Sequence, residues 1–306
     1  MTHDPPSAGR FIFRYACCMR SVTIGYALRR RLWALLFAAA ATGAAFTSCA
    51  SSSSQPAAQT FHSAALGRTM RYQVSVPPNA DAKRFPVVYL LHGHGGQETD
   101  WFTHSAAAEV ANKAGLVVVT PDGGNSWYLN TPAERWEDYI TRDLIQEVES
   151  RWPVRPGRRS RAVAGLSMGG YGAMNIALRH PELFALAASM SGALDTTRPS
   201  SVFSYGREAE VNAWFGPPGS VTRRDNDVYR LAAQAVPANL PYFYLDCGVD
   251  DAWFGVNREF AEVLKARGIA HEFHEESGDH NWVYWDRQVK TVLALAAKRL
   301  ADTEPQ

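Results

Sequence analysis

The chain has 306 residues, 46% of them hydrophobic, and its 31 Lys and Arg nearly balance its 30 Asp and Glu, for a net charge of +1. That length and balance fit one soluble globular domain with extra sequence ahead of it. They give no support for nucleic-acid binding or for an extended acidic or basic partner.

The first sixty residues differ from the rest. Arg29-Arg30-Arg31 precedes Leu32 to Phe46, a short stretch rich in Leu, Phe and Ala. A basic segment followed by a short apolar one reads as an export signal. It falls short of the roughly 20 apolar residues that a spanning helix needs. Phe46-Thr47-Ser48-Cys49 is similar to the lipobox of bacterial lipoproteins, with Phe46 where Leu is usual. The expectation is a signal peptide over residues 1–48, with translation starting at Met19 as an alternative. A lipidated Cys49 would attach the chain to a membrane, and residues 49–60 would form a Ser/Ala-rich tether. Plain secretion after a nearby small-residue cut is the other reading. Both export the protein, as a cell-envelope lipoprotein or in secreted form. Cys17 and Cys18 would leave with the signal, so Cys247 remains as a buried, inert thiol and no internal disulfide is expected.

From Arg71 onward, strand-like and helix-like segments alternate. Arg71 to Val76 is a candidate strand. Val87 to Leu91 is a strongly apolar one, followed at once by His92-Gly93-His94-Gly95-Gly96. A helix is expected near Ala106 to Ala114, a strand at Leu116 to Thr120, and a long helix from Trp136 to Trp152. Arg161 to Ala164 reads as a short buried strand, Met168 to Arg179 as a helix, and Phe184 to Met190 as a further strand. Ser191 to Asn239 breaks the rhythm and is expected to cover the end of the sheet as a partial cap or to lie as a surface excursion. Pro241 to Cys247 and His271 to His274 are the last strands, and a helix from about Trp285 to Leu300 closes the domain. This alternation argues for an α/β fold with a mostly parallel sheet and helices on both faces.

Between the Arg161 strand and the helix after it lies Gly165-Leu166-Ser167-Met168-Gly169. G-x-S-x-G on a strand-to-helix turn exposes the serine hydroxyl above the sheet. Glycines at 165 and 169 remove side chains that would clash there. A serine hydroxyl is a poor nucleophile at neutral pH. It needs a general base, and a carboxylate to hold that base in the right tautomer. In this arrangement they follow in the order Ser, Asp or Glu, His. Asp250 and Asp251 form the turn after the Pro241 strand, and either could be the acid; Asp246, inside the strand, is a weaker candidate. His280, in Gly278-Asp279-His280-Asn281-Trp282 between the last strand and last helix, is the expected base, ahead of His271 and His274. An oxyanion hole needs two N–H donors. The Met168 amide is one, and the glycine-rich loop after Val87–Leu91 supplies the other, assigned to the His94 amide. His92 and His94 also invite a metal reading, but no cluster elsewhere completes a ligand set.

With these parts in order, the chain resembles the "Putative esterase" family of α/β-hydrolases. Tyr89-Leu90-Leu91-His92-Gly93-His94-Gly95-Gly96 with Trp101 is similar to its oxyanion segment. Pro121-Asp122-Gly123-Gly124-Asn125-Ser126-Trp127-Tyr128 is similar to the loop bordering its acyl pocket. Ala164 to Ala173 is similar to its nucleophile segment, and Asp246 to Asp251 and Gly278 to Trp282 to its acid and histidine loops. The resemblance spans about Phe61 to Leu300, so residues 61–306 are expected to be the catalytic domain. In that family the acid stands three residues after the glycine of the acid loop, which points to Asp251. An aspartate there, and the double glycine at Gly95-Gly96, are nearer the feruloyl and acetyl-xylan esterases than the mycolyltransferase or esterase D branches. Trp127, Tyr128 and Trp282 are expected at the substrate pocket, and Trp253 and Phe254 lie in loops that should approach it.

The resulting expectation is a serine carboxylesterase at the cell envelope that works through an acyl-enzyme. Its substrates would be small-molecule or glycan esters, and the mechanism calls for no metal or organic cofactor. An acyltransferase that passes the acyl group to a sugar hydroxyl is the second reading. A tethered, non-catalytic binding protein is the third.

Overall fold

The computed structural model describes residues 56–78, 83–198 and 201–301. The expected signal peptide over residues 1–48, the alternative start at Met19 and the lipidated Cys49 lie outside the described residues.

The described chain opens with a hairpin of β1 (Ala57–Ser63) and β2 (Arg68–Ser75). β3 (Val87–Leu91) leads through α1 (Asp100–His104) and α2 (Ala107–Ala114) to β4 (Val117–Pro121). α3 (Trp136–Asp138) runs through a π-helical stretch, Tyr139–Leu144, into α4 (Ile145–Arg151). β5 (Arg161–Leu166), α5 (Met168–Arg179) and β6 (Leu186–Met190) follow. The excursion after β6 holds α6 (Glu208–Phe215), α7 (Val221–Asp225) and α8 (Val228–Gln234). β7 (Tyr242–Gly248), α9 (Phe254–Ala266), β8 (His271–Glu276) and α10 (Trp282–Arg299) complete the domain.

The eight strands form one sheet in the order β1-β2-β4-β3-β5-β6-β7-β8. β2 runs antiparallel to both its neighbours, and every pair from β4 to β8 is parallel. The central strands are buried on both faces, and that is why β3 reads as an unbroken apolar run and β4 opens on three valines. One core packs Tyr89, Val163 and Leu245 with Met174 and Phe260, and the other packs Leu90, Ala164 and Tyr244 with Val289 and Leu293. Helices therefore cover both faces. β8 is an edge strand, His-Glu-Phe-His-Glu-Glu, whose charges discourage further strand pairing.

The structure departs from the sequence expectations at several points. β1 starts at Ala57, so residues 57–60 of the expected tether are sheet and the folded domain begins there, ahead of residue 61. Its residues alternate between half-buried and exposed, an edge pattern without an apolar run. The last helix starts at Trp282 rather than Trp285, because Asn281 Oδ1 caps it by accepting the Tyr284 N–H at 3.1 Å. The helix over 136–152 takes a wider π turn at Tyr139–Leu144, where Tyr139, Ile140, Thr141 and Leu144 are all buried.

Candidate active site

Ser167 sits between the last residue of β5 and the first of α5, with φ 53° and ψ −117°. Such a conformation is strained for a residue with a side chain, at a cost on the order of 1–3 kcal/mol. The surroundings hold it. The Ser167 N–H donates to the Met190 carbonyl at 3.0 Å, and the Ser167 carbonyl accepts the Tyr171 and Ala193 N–H groups at 3.0 and 3.1 Å. The turn also needs its glycines. A Cβ on Gly169 would stand 2.3 Å from the Leu91 carbonyl oxygen, and one on Gly165 2.4 Å from Gly169.

The Ser167 hydroxyl and His280 Nε2 are 3.0 Å apart. On the other side of the ring, His280 Nδ1 lies 2.8 Å from Asp251 Oδ2. Three residues far apart in sequence thus touch in series. Each comes from a loop at the C-terminal end of a parallel strand: β5, β7 and β8. The Asp251 side chain is fully buried. Burial alone would raise its carboxyl, but the His280 hydrogen bond and charge, with the Trp253 N–H, hold it below the ordinary value. Of the other acids, Asp250 is exposed. Asp246 is buried on the opposite side of β7, accepts the Tyr284 hydroxyl at 2.8 Å, and is pushed up to about 8 by burial. His271 Nδ1 bonds the Ile269 carbonyl, and His274 pairs with Glu272 and stacks on Tyr244. These two are strand residues with local partners.

The loop after β3 makes a tight turn, closed by the Gly96 N–H donating to the Gly93 carbonyl at 3.0 Å. His94 is the second residue of that turn and lines the cleft with Ser167. Its amide is not used by the turn. The Met168 N–H is the first of α5, among the helix donors with no intrahelical acceptor. The H-x-H pair is engaged elsewhere. His92 is buried; its Nδ1–H donates to the Gly93 carbonyl at 2.8 Å and its Nε2 accepts the Gly123 N–H at 2.9 Å. Burial lowers its affinity for a second proton. His94 Nε2 bonds Glu210 Oε1 of α6.

Ser167 opens into a cleft of about 240 Å³, lined by Gly93–Gly96, Asp100, Leu166, His280, Trp282 and Trp285. Trp282 stands where the sequence placed it. Trp127 and Tyr128 do not: both are fully buried and have no surface on the cleft. Their backbone takes positive φ, 54° and 57°. The Tyr128 hydroxyl donates to the His92 carbonyl at 3.0 Å, and the Trp127 ring packs against Phe203, Phe215 and Tyr171. The two rings support the oxyanion loop from below. Three residues of the site escaped the sequence. Asp100 carries no signal, Trp285 enters the sequence reading only as the start of the last helix, and Glu210 lies in the irregular excursion. Cys247 is buried and its thiol is pushed up by that burial, consistent with an inert group.

An eight-stranded, mostly parallel sheet with helices on both faces and a serine on its strand-to-helix elbow defines an α/β-hydrolase. Within that class the chain belongs to the "Putative esterase" family, which it matches over residues 63–295. It is 27% identical over 229 residues to the acetyl esterase of Caldicellulosiruptor saccharolyticus, covering 72% of this chain and 86% of that one. It is 28% identical over 268 residues to the diacylglycerol acyltransferase/mycolyltransferase Ag85B of Mycobacterium leprae, covering 75% and 80%. Among solved structures it is similar to the substrate-bound fluorophosphonate-binding serine hydrolase F of Staphylococcus aureus. That match has a TM-score of 0.71 at 26% identity and covers 79% of this chain and 98% of the other.

Proposed function

We propose that this esterase-family protein is a serine carboxylesterase acting on short acyl esters, among them acyl groups on extracellular glycans. The observation that carries this reading is the unbroken series Ser167 Oγ, His280 Nε2, His280 Nδ1, Asp251 Oδ2, with contacts of 3.0 and 2.8 Å. Ser167 Oγ attacks the ester carbonyl carbon, and its proton passes to His280 Nε2. Asp251 holds the ring and faces the positive charge that results. The His94 and Met168 amides receive the oxyanion. Collapse expels the alcohol, which takes the proton from His280 and leaves an acyl-serine. Water then attacks with His280 again as base, releasing the acid and restoring Ser167.

The cleft volume of about 240 Å³ is small beside the roughly 300–1,000 Å³ of pockets that enclose drug-sized ligands. It suits a short acyl group, and the named activity of the Caldicellulosiruptor relative points the same way. The likeness to Ag85B supports a second reading, transfer of the acyl group to a sugar hydroxyl. Export, and attachment through Cys49, rest on the basic and apolar segments at Arg29 to Cys49.

The test is hydrolysis of p-nitrophenyl acetate, longer p-nitrophenyl esters and methyl ferulate, with and without an added sugar acceptor. Fast acetate hydrolysis that falls steeply with chain length is expected, together with fluorophosphonate labelling that disappears in Ser167→Ala. Labelling that persists in Ser167→Ala refutes the proposed nucleophile. Product appearing mainly on the sugar favours transfer.

A further inference from the structure

The proposed mechanism uses Asp251 and His280, and one residue touches both. The Trp253 N–H donates to Asp251 Oδ1 at 2.9 Å, leaving Oδ2 for His280. The Trp253 ring lies against the His280 imidazole, with centroids 4.6 Å apart and planes tilted by 37°. Trp285 meets the imidazole as well, at 4.8 Å and 87°. His280 is therefore clamped between an indole that largely faces it and one set nearly at right angles.

Trp253 is itself fixed. Its carbonyl accepts the backbone N–H of Asn257 at 3.0 Å and the Asn257 side-chain amide at 3.0 Å, and that same amide donates to the Gly192 carbonyl at 2.9 Å. Its indole Nε1 is buried and has no hydrogen-bond acceptor among the described residues. The ring is thus held by contact, and a buried N–H without an acceptor is a cost that a phenyl ring in the same place would avoid.

We propose that Trp253 is a positioning residue for the reaction, aligning the Asp251 carboxylate through its backbone and steadying the His280 imidazolium with its ring. This rests on the serine esterase reading. As the Ser167 Oγ–carbon bond forms, the Oγ–H bond breaks and the proton moves to His280 Nε2. The ring then carries a positive charge that it did not have in the ground state. An aromatic face within about 6 Å attracts such a cation. An interaction present only after proton transfer lowers the barrier rather than the substrate affinity. The charged groups around the imidazole among the described residues are Asp251, on the β7–α9 loop, Asp279, whose Oδ1 accepts the His280 backbone N–H at 2.7 Å, and Asp100 of α1, which lines the same cleft. None of them is altered by changing the Trp253 ring.

The experiment compares Trp253→Leu and Trp253→Phe with the unmodified chain on p-nitrophenyl acetate. Leucine keeps the site apolar but removes the π face. Trp253→Leu is expected to lower kcat roughly 5- to 30-fold with KM within about 2-fold. The acid limb of its kcat/KM profile should move to lower pH, because the cation is less favoured. Trp253→Phe, with a weaker aromatic face, should retain kcat within about 3-fold and show an intermediate limb. It keeps the comparison readable if the leucine variant is destabilised. An acid limb that stays fixed in both variants, or a kcat of Trp253→Leu equal to that of the unmodified chain, overturns the proposal. A simple packing role would change thermal stability without moving the limb. Absence of fluorophosphonate labelling in the unmodified chain is a separate result, and it removes the underlying serine mechanism itself.

Discussion

His94 and Glu210, 116 positions apart, are joined side chain to side chain. His94 belongs to the tight turn beside Ser167, and Glu210 to α6 in the excursion that follows β6. Phe203 of the same excursion packs on the His94 ring with centroids 5.0 Å apart. The excursion after β6 therefore grips the residue whose amide is the proposed oxyanion donor. Loss of a whole donor of this kind costs about 10²–10³ in kcat. Loosening one costs less. Glu210→Ala is expected to reduce kcat about 3- to 10-fold with little change in KM, measured on p-nitrophenyl acetate. An unchanged kcat would show that the turn holds its shape without Glu210.

The two neighbouring aspartates separate cleanly. Asp251 is buried and touches His280, while Asp250 is exposed and only its backbone N–H is used, donating to the Gly278 carbonyl at 3.1 Å. Asp251→Asn keeps the shape of the site but presents the wrong hydrogen-bonding partner to Nδ1, and should lower kcat by roughly 10⁴. Asp250→Asn should stay within about 2-fold of the unmodified rate. The reverse ranking in steady-state assays would move the acid by one residue.

Asp246 makes stability depend on pH. Burial raises its carboxyl from 3.8 to about 8 in the folded protein. The folded state therefore holds this proton more tightly than the unfolded chain. The resulting stabilisation is fully present below the unfolded value near 3.9 and is lost as pH rises through about 8, at no more than about 1.4 kcal/mol per pH unit. Asp246→Asn keeps an acceptor for the Tyr284 hydroxyl and removes the ionisation. Its melting temperature should exceed that of the unmodified chain at pH 8–9, with the gap closing toward pH 4. Parallel melting curves across that range would refute the assignment.

Asp100 places a carboxylate on the wall of the cleft. It repels an ester whose leaving alcohol is anionic, and does little to a neutral one. Asp100→Asn should raise kcat/KM for an anionic ester about 3-fold or more relative to a neutral ester of the same acyl group. Equal changes for both esters would place the carboxylate out of reach of the alcohol.

Much of the site was legible because its chemistry follows chain order. Ser167 and the Asp250–Asp251 turn each stand directly after a strand with a strong apolar signal, His280 stands in the loop between the charged edge strand β8 and the last helix, and the sheet brings those strand ends together. The choice of Asp251 over Asp250 came from likeness to a family, and in the structure Asp251 is the one that meets His280. Trp127 and Tyr128 misled because the sequence locates a loop but does not say which way its side chains point. Both rings are buried beneath the loop, the backbone there takes positive φ twice in succession, and nothing in their identity announces it. β1 escaped because Ala-Ala-Gln-Thr-Phe-His-Ser has no apolar run, as expected of an edge strand. Glu210 and Asp100 could not be found, since their relevance comes from which loops the fold packs together.

β6 and β7 are adjacent and parallel, and the excursion that carries α6, α7 and α8 is spliced between them. Its two ends therefore leave and rejoin the scaffold at fixed points on neighbouring strands. Closing a loop between fixed points grows costlier only slowly with length, about 0.6 kcal/mol per doubling. The insert can thus grow or shrink at little cost while the strands that carry Ser167, Asp251 and His280 stay in place.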